Sequence, residues 1–386
     1  MYNFSEAGRT EAGGMGAGRT EAGSTEKDKR NEAGPQIWFA PMEGITGYTF
    51  RNVYDSCFPG VDRYYTPFIA ANHTHSYKSK EGKDIAPENN AVAVLVPQVL
   101  TNKAEDFLWA TESLAAKGYR EINLNLGCPS PTVVSKKKGA GFLGEPDALD
   151  RFFEEVFDGL AGRTAGLGAQ IKEAEMVEDV LSTLCISVKT RIGVRDTEEA
   201  TRLMEIYNRY PICSLIIHPR LQTELYRGRP HTDVFLDMCS ESVHPVCYNG
   251  DICSAEDLRH LLQMMAEGRR DTQGFGMQGT QRPGLEAVMI GRGFLRRPGL
   301  IRELRGGRPA DTEELRQFHD CLLEAYTRDL SPKDALFRMK ELWAYMKDSF
   351  PDADRSVKKI LKTKDPNAYR AAAQELFDGH SAIWAI

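Results

Sequence analysis

Short apolar segments alternate with amphipathic segments from residue 37 to residue 290, and this alternation constrains the fold more than any other feature. The apolar segments predict strands at 37–41, 63–67, 92–98, 121–126, 186–191, 213–218, 245–248 and 286–290. The segments between them predict helices at about 46–56, 103–117, 146–160, 197–209, 231–240 and 254–267. Each helix is long enough for a right-handed crossover between parallel strands. Eight strands that alternate with helical segments predict an α/β fold, a (β/α)₈ TIM barrel.

A doubly wound open sheet is the alternative arrangement of the same elements. That fold usually carries a glycine-rich GxGxxG turn after its first strand, and the segment "FAPMEG" in this position does not have it. The barrel is therefore the favoured fold.

Segments that lie outside this alternation of strands and helices divide the chain into three parts. Residues 1–35 repeat the hexad GRTEAG at 8–13 and 18–23 and have few apolar residues, which predicts a disordered tail. The barrel is expected at 36–307, with surface insertions at 161–182 and 268–284. Beyond it, "SPKDALFRMKELWAYMKDSF" places apolar residues at helical spacing and predicts a small C-terminal helical domain over 308–386.

Composition excludes several classes of protein. Hydrophobic residues make up 41% and charged residues 27% of the chain, and no apolar run approaches the ~20 residues that span a bilayer. The eight cysteines are scattered without CxxC pairs, and the N-terminus has no apolar signal core. We therefore expect a cytoplasmic protein without a metal site. The net charge of −6 means that any contact with nucleic acid depends on local basic patches.

Side chains suited to binding or catalysis lie near the ends of most predicted strands, where barrel enzymes carry their active sites. A single histidine in a loop or a single Asn-Gly turn has an ordinary structural explanation. Their occurrence at successive strand ends predicts a functional site. These residues are Pro41, Met42, Gln98, Asn125, Cys128, Lys189, Arg191, His218, Arg220, Asn249, Gly250, Asp251, Gly291 and Arg292.

The last two strand ends and one lysine indicate the kind of ligand. Asn249-Gly250 and Gly291-Arg292 supply flexible backbone and a cation where barrels of this type commonly bind a phosphate. Lys189 would bring a positive charge into the barrel mouth, which is costly unless the lysine meets an anion or an electron-rich heterocycle. A flavin meets both demands, and Gln98 and His218 can hydrogen-bond to its ring or ribityl chain.

Several segments, in this order and at compatible spacing, resemble the tRNA-dihydrouridine synthase family. They are "FAPMEGITGYTFR", "NLNLGCPSP" followed by "KGAGFL", "SVKTRIG", "LIIHPRLQTELYRG", "PVCYNGDI" and "AVMIGRGFLRRP". The resemblance covers about residues 36–305 and extends weakly into the helical C-terminus. It implies an FMN-dependent oxidoreductase that reduces the C5–C6 bond of particular uridines in tRNA, with NADPH or NADH as the electron donor.

The resemblance also implies a role for each matching residue. Cys128 would be the general acid, Asn125 would hold the target uracil, and Arg220 would lie near it. Addition of hydride to C6 leaves negative charge on C5 and O4, so a proton donor is needed on the opposite face. FMN would contact Pro41, Met42, Glu43, Gln98, Lys189, His218, Asn249, Gly250, Asp251, Gly291 and Arg292.

Basic residues that can bind tRNA phosphates occur at 136–138, at Arg292, Arg296 and Arg297, and in "RSVKKILKTK" at 355–364. The lysines at 136–138 are equally compatible with a solvated loop. We expect a monomer with tRNA and a nicotinamide cofactor as partners, no membrane and no metal. Two alternatives remain open, an FMN-dependent dehydrogenase of a free pyrimidine or similar small molecule, and a non-catalytic RNA-binding barrel.

Overall fold

The strands in the described part of the chain are all parallel and form a single sheet that closes into a barrel. The computed structural model describes residues 34–71, 73–166, 183–272 and 284–383. Within them the strands are β1 (Gln36–Phe39), β2 (Arg63–Tyr65), β3 (Leu95–Val96), β4 (Gln98–Val99), β5 (Glu121–Leu126), β6 (Cys185–Arg191), β7 (Ser214–His218), β8 (Val246–Tyr248) and β9 (Leu285–Ile290). Their order in the sheet is β3-β2-β1-β9-β8-β7-β6-β5-β4.

The two edges of this sheet are two halves of one interrupted strand. Only Pro97 separates β3 from β4, and proline has no N–H to donate to a neighbouring strand. The carbonyl of Pro97 accepts a hydrogen bond from the Asn123 amide at 2.9 Å, so the contact with β5 continues across the interruption. The predicted TIM barrel is therefore confirmed, with the expected strand at 92–98 formed as two short pieces.

Helices lie on the outer face of the barrel and at the carboxyl ends of its strands. They are α1 (Tyr48–Cys57), α2 (Ser79–Asp84), α3 (Ala104–Ala115), α4 (Pro131–Val134), α5 (Pro146–Gly166), α6 (Glu199–Tyr207), α7 (Thr232–Glu241), α8 (Ala255–Thr272), α9 (Arg292–Arg296) and α10 (Leu300–Leu304). Helices were expected at the positions of α1, α3 and α5–α8. The unit after β2 differs, because its helix α2 has only six residues.

Four more helices follow the barrel: α11 (Thr312–Asp329), α12 (Pro332–Met346), α13 (Asp354–Lys362) and α14 (Pro366–Gly379). Their apolar faces share one core with the outer face of the barrel. Phe318 of α11 is fully buried and contacts the rings of Phe50, Tyr54 and Phe58 on or next to α1. Residues 36–386 consequently form one compact unit.

The tail that was predicted to be disordered spans residues 1–35. Of these, residues 1–33 lie outside the described part of the chain. The same holds for most of the two predicted insertions, since 167–182 and 273–283 are not described. The beginning of each insertion continues a helix, α5 as far as Gly166 and α8 as far as Thr272. In the described part of the chain, the helices are too short or too polar to cross a bilayer.

Side-chain alternation along the strands determines what the barrel interior contains. Trp38, Ile216, Ala287 and Met289 belong to a small apolar cluster that is separate from the outer core. On β5 and β6, alternate positions carry Asn123 and Asn125, and Ser187 and Lys189. The interior is therefore apolar in one part and polar toward the carboxyl ends of the strands.

A disulfide bond joins Cys185, the first residue of β6, to Cys213, which immediately precedes β7. It lies at the amino ends of these strands, the opposite end from the predicted site. The sequence did not predict this pair, because the cysteines are 28 residues apart and only the parallel pairing of β6 with β7 brings them together. The other six cysteines are free thiols.

Candidate active site

A cavity of about 740 Å³ opens at the carboxyl ends of the barrel strands. Every residue that the sequence predicted for the site lines this cavity, except Arg191 and Arg220. The lining includes Pro41, Met42, Glu43, Gln98, Asn125, Cys128, Lys189, His218, Asn249, Gly250, Asp251, Gly291 and Arg292. Loops after six or more different strands thus converge on one space, as expected for a barrel active site.

Cys128 is held in its turn by hydrogen bonds to the backbone on both sides. The Asn125 side-chain oxygen accepts from the amides of Gly127 at 3.1 Å and of Cys128 at 2.9 Å. Arg191 donates from Nε to the Gly127 carbonyl at 3.0 Å. The amide of Ala140 donates to the Cys128 carbonyl at 3.0 Å. The main chain that carries the thiol is therefore fixed before any ligand binds.

Gly139 explains the glycine cluster that follows the lysine run. Its φ of +56° lies in the left-handed region that side chains other than glycine rarely adopt. A Cβ at this position would lie 2.7 Å from the Cys128 carbonyl oxygen and 3.1 Å from the Cys128 Cβ. Only glycine permits this close approach behind the cysteine.

The Cys128 thiol is protonated at neutral pH. Burial raises its pKa, and this effect outweighs the opposite effects of a backbone hydrogen bond from Ser130 and the charges of Lys189 and Arg191. A thiol in this state is a proton donor rather than a nucleophile.

A row of side-chain amides crosses the barrel interior beneath the cavity. Asn125 Nδ2 donates to Gln98 Oε1 at 2.6 Å, and Gln98 Nε2 donates to Asn123 Oδ1 at 2.8 Å. Asn123 Nδ2 then donates to Ser187 Oγ at 2.9 Å. The row fixes the orientation of the Gln98 amide. The sequence analysis gave Asn123 and Ser187 no role. Polar residues at alternate positions of otherwise apolar strands could have indicated that both side chains face the barrel interior.

Lys189 brings a cation to the wall of the cavity. The described residues offer its ammonium neither an acidic group in ion-pair distance nor a hydrogen-bond acceptor, and it lines the cavity. Burial, assisted by the nearby charge of Arg191, lowers the pKa of Lys189 to about 8. Such a lysine fits an anionic or electron-rich group placed in the cavity.

His218 is neutral and its proton position is fixed by a neighbour. Burial and four nearby cations lower its pKa well below the ordinary value. Arg220 Nη1 lies 3.2 Å from His218 Nε2, and an arginine can only donate. The neutral ring therefore carries its proton on Nδ1. Arg220 itself is fully buried behind the cavity wall.

Glycines allow the loops after β8 and β9 to pack closely together. A Cβ at Gly250 would overlap the Tyr248 side chain, and one at Gly293 would overlap the Ile252 carbonyl. Asn249 Nδ2 donates to the Met289 carbonyl at 2.7 Å, which joins the end of β8 to β9. The two turns expected to bind a phosphate are therefore adjacent and rigidly connected.

Tyr226 lies at the cavity mouth between two arginines, and sequence reasoning did not assign it a role. The guanidinium carbons of Arg191 and Arg292 lie 5.4 Å and 5.3 Å from its ring centroid. The tyrosine is 56% exposed. Glu43, on another side of the mouth, forms an exposed ion pair with Lys80 at 3.2 Å.

The basic residues proposed for RNA contact differ in their availability. Lys137 is paired with Glu145 at 2.6 Å, and Lys138 donates to the Ala71 carbonyl at 3.3 Å. Lys136 is exposed. On α13, Val357 and Ile360 are buried, while Arg355, Lys358 and Lys362 are exposed at the i, i+3, i+7 spacing of a single helix face.

Among the described residues, no cluster of three or more His, Cys, Asp or Glu side chains is arranged to hold a metal ion.

The fold and the cavity together define a TIM-barrel enzyme with its active site at the carboxyl ends of the strands. Sequence comparison specifies the class further, because the family model described as Dihydrouridine synthase (Dus) matches residues 38–161 and 169–269. These ranges include more than half of the chain. The protein belongs to the dihydrouridine synthase family, which confirms the resemblance predicted from its motifs.

Curated relatives extend over most of the chain. A tRNA-dihydrouridine(16) synthase of Neisseria meningitidis serogroup B is 26% identical over 351 residues, covering 87% of this chain and 92% of the relative. A tRNA-dihydrouridine(16) synthase of Pseudomonas putida is 27% identical, covering 82% and 90%. A probable tRNA-dihydrouridine synthase of Staphylococcus epidermidis is 25% identical, covering 76% and 80%.

Among solved structures, a morphinone reductase variant in complex with tetrahydroNAD is similar with a TM-score of 0.42 and 11% identity. The similarity covers 70% of this chain and 86% of that one.

Proposed function

We propose that this protein is a tRNA-dihydrouridine synthase that reduces the C5–C6 double bond of uridine in tRNA, with Cys128 as the proton donor. One observation carries the proposal. A protonated thiol is fixed in the wall of a cavity at the strand ends, in a chain of the dihydrouridine synthase family. The relatives named above act on tRNA according to their names, and they span most of this chain.

The cofactor of the proposed reaction is FMN. The residues of the cavity fit this group in two respects. Lys189 is a cation that has no ion-pair or hydrogen-bond partner among the described residues, and the close-packed turns at Asn249–Asp251 and Gly291–Arg292 offer backbone amides and one guanidinium to a single phosphate. The turn after β1 lacks the fingerprint of a dinucleotide site. Bound FMN supplies hydride at the cavity, and NADPH or NADH is the proposed source of electrons.

The side chains around the cavity then have separate tasks. Lys189 would place positive charge against the flavin ring system, and Gln98 would present to it an amide whose orientation is fixed by Asn125 and Asn123. Pro41, Met42 and Glu43 form one wall of the cavity.

Cys128 donates the proton that uracil C5 requires after hydride has been added to C6. A positioned general acid of this kind typically accelerates a reaction by about 10²- to 10⁴-fold. Asn125 holds the turn of Cys128 with its oxygen and retains one N–H for the target base. Uracil must leave its stack in the tRNA to reach this cavity, which is a general requirement of enzymes that act on bases.

The C-terminal helices 308–386 are the proposed tRNA-binding part of the protein. Arg355, Lys358 and Lys362 form what we call the α13 basic face, opposite the buried Val357 and Ile360. Such a face attracts phosphates, which dominate the affinity of proteins for nucleic acids. Tyr345 of α12 lines the catalytic cavity, so these helices border the entrance through which the RNA would approach.

The proposal is tested with purified protein, FMN, NADPH or NADH, and tRNA lacking dihydrouridine. Mass spectrometry of digested tRNA should find a gain of about 2 Da on particular uridines, and mapping should begin at position 16 because two relatives are named for it. Reduction of free uracil or orotate, without reduction of tRNA, would instead support a small-molecule dehydrogenase. Binding of tRNA without any reduction would support a non-catalytic barrel.

A further inference from the structure

A carboxylate lies between two arginines in the part of the cavity proposed for the phosphate of FMN. Asp251 accepts from Arg220 Nη2 at 2.5 Å, and it also forms an ion pair with Arg292 Nη2. Asp251 was expected to contact the cofactor directly. A carboxylate and a phosphate are both anions, however, and they repel each other at contact distance.

Arg220 serves as a fixed anchor and has no donor left for a ligand. Its Nε donates to the Arg227 carbonyl at 3.2 Å, and its Nη2 donates to the Gly228 carbonyl at 2.7 Å as well as to Asp251. Its Nη1 contacts His218 Nε2 at 3.2 Å and Asp251 at 3.3 Å. All five N–H groups of a guanidinium are thereby used. The contact with the base that the resemblance implied for Arg220 would require these bonds to break.

Arg292 differs from Arg220, because it lines the cavity and is only partly buried. Its bond to Asp251 uses Nη2, while Nε and Nη1 have no hydrogen-bond partner in the described part of the chain. The ring of Tyr226 covers one side of the guanidinium at 5.3 Å. The side chain is therefore held at one nitrogen and on one face, and two of its nitrogens can bind a ligand.

We propose that Asp251 is a positioning residue, anchored by the buried Arg220, that holds Arg292 in place to bind the 5′-phosphate of FMN. Arginine binds phosphate best when two N–H groups are presented in a fixed plane, and fixing a long side chain beforehand lowers the entropy cost of binding. This inference rests on the proposed FMN-dependent function and deepens it. Asp251 acts on the cofactor through Arg292 and not by contact.

The ion pairs also keep Asp251 ionised. Partial burial opposes its ionisation, but hydrogen bonding to Arg220 and the charge of Arg292 outweigh burial and lower the pKa of the carboxyl group below its ordinary value. The carboxylate is therefore available to both arginines at neutral pH.

Two opposite effects make the proposal testable with Asp251→Asn. If Asp251 positions Arg292, its neutralisation loosens the phosphate site and weakens FMN binding, by about tenfold for the loss of one charge-assisted bond. If Asp251 merely cancels positive charge near the phosphate, its neutralisation leaves FMN binding unchanged or makes it tighter.

The measurement compares FMN with riboflavin, which lacks the phosphate. Full-length protein is freed of flavin and titrated with each ligand by fluorescence quenching. We expect Asp251→Asn to weaken FMN about tenfold and to leave riboflavin unchanged, whereas general damage to the fold would weaken both. Asp348→Asn is the matched control, since Asp348 is a half-exposed carboxylate paired with another cavity arginine, Arg296, at 3.1 Å. It should change neither affinity.

A double-mutant cycle with Arg292→Ala completes the test. In the Arg292→Ala background, Asp251→Asn should have no further effect on FMN affinity. An unchanged preference for FMN over riboflavin in Asp251→Asn, or equal effects of the substitution with and without Arg292, would overturn the inference. Should Asp251→Asn not fold, Asp251→Glu replaces it. This variant keeps the charge but displaces the carboxylate by one methylene, so it should weaken FMN and not riboflavin, and unchanged FMN affinity would overturn the inference. A wild-type protein that binds neither flavin would contradict the proposed function itself.

Discussion

Substitution of Gly139 by alanine tests the account of how Cys128 is positioned. Alanine at φ +56° costs about 1–3 kcal/mol in backbone strain. The added Cβ would also lie 2.7 Å from the Cys128 carbonyl oxygen and 2.9 Å from Val133 Cγ1, and neither neighbour is the end of a flexible side chain. The turn that carries the thiol must therefore shift by a few tenths of an ångström.

We expect Gly139→Ala to lower stability by about 2–4 kcal/mol in total. With an unfolding entropy of about 2.1 cal/mol/K per residue, the unit formed by residues 36–386 loses about 3–5 °C in Tm. The rate of dihydrouridine formation should fall by more than tenfold, because a general acid misplaced by a fraction of an ångström delivers its proton poorly. FMN binding should persist, since Gly139 does not line the cavity.

Calorimetry and mass spectrometry of tRNA measure the two effects separately. Gly144→Ala is the matched control in the same 3₁₀ segment, Gly139–Gly144. Its Cβ would meet only Val194 Cγ2 at 3.5 Å, and its φ is not in the left-handed region. The reasoning is refuted if Gly139→Ala keeps the wild-type rate and Tm, or if Gly144→Ala is equally damaging.

Two further predictions concern the cofactor and the RNA. Lys189→Met should weaken FMN binding by about 10- to 100-fold, the value of one charge-assisted contact. Because the pKa of Lys189 is about 8 and its charged form favours the ligand, FMN affinity should fall as pH rises through 8, and titrations should find no such step in Lys189→Met. Glutamine at Arg355, Lys358 and Lys362 together should reduce the slope of log affinity for tRNA against log salt by about one per lost phosphate contact. The control has glutamine at Lys117 and Arg120, which are exposed and precede the amino end of β5, and filter-binding measurements should find its slope unchanged. Equal slopes in the wild-type protein and both variants would contradict the proposed binding of tRNA by the α13 basic face.

These substitutions are preferable to removal of the C-terminal helices. Phe318 of α11 is buried against Phe50 and Tyr54 of α1, so a chain ending near residue 307 would expose the aromatic face of the first barrel helix. Loss of activity in such a truncated chain would follow from misfolding as readily as from lost RNA contacts.

The barrel was predictable from the sequence because parallel strands are buried on both faces and read as continuous apolar runs. The break at Pro97 was the exception, since the proline lies within a run that is otherwise typical of a strand. The cavity residues were predictable for a related reason. Strand ends meet at one edge of a barrel whatever their separation in sequence, so Gln98, Asn125 and Lys189 had to lie near one another.

Contacts that depend on the register between strands were not predictable. The disulfide between Cys185 and Cys213 requires the pairing of β6 with β7, and the row from Asn125 to Ser187 requires three strands in register. Arg191 is a similar case, because its bond to the Gly127 carbonyl joins the ends of two strands. The sequence indicated that Asn125 and Arg191 lie near the site but did not indicate which groups they contact.

The rate of dihydrouridine formation in Cys128→Ala tests the central claim most directly. Wild-type protein, Cys128→Ala and Cys253→Ala are each incubated with FMN, NADPH and tRNA lacking dihydrouridine, and the product is measured by mass spectrometry of digested tRNA. Cys253 is the matched control, because its thiol also lines the cavity and burial also raises its pKa. The account predicts full FMN binding in all three proteins, a wild-type rate in Cys253→Ala, and a loss of about 10²- to 10⁴-fold in Cys128→Ala. Dihydrouridine formed by Cys128→Ala at the wild-type rate would contradict it.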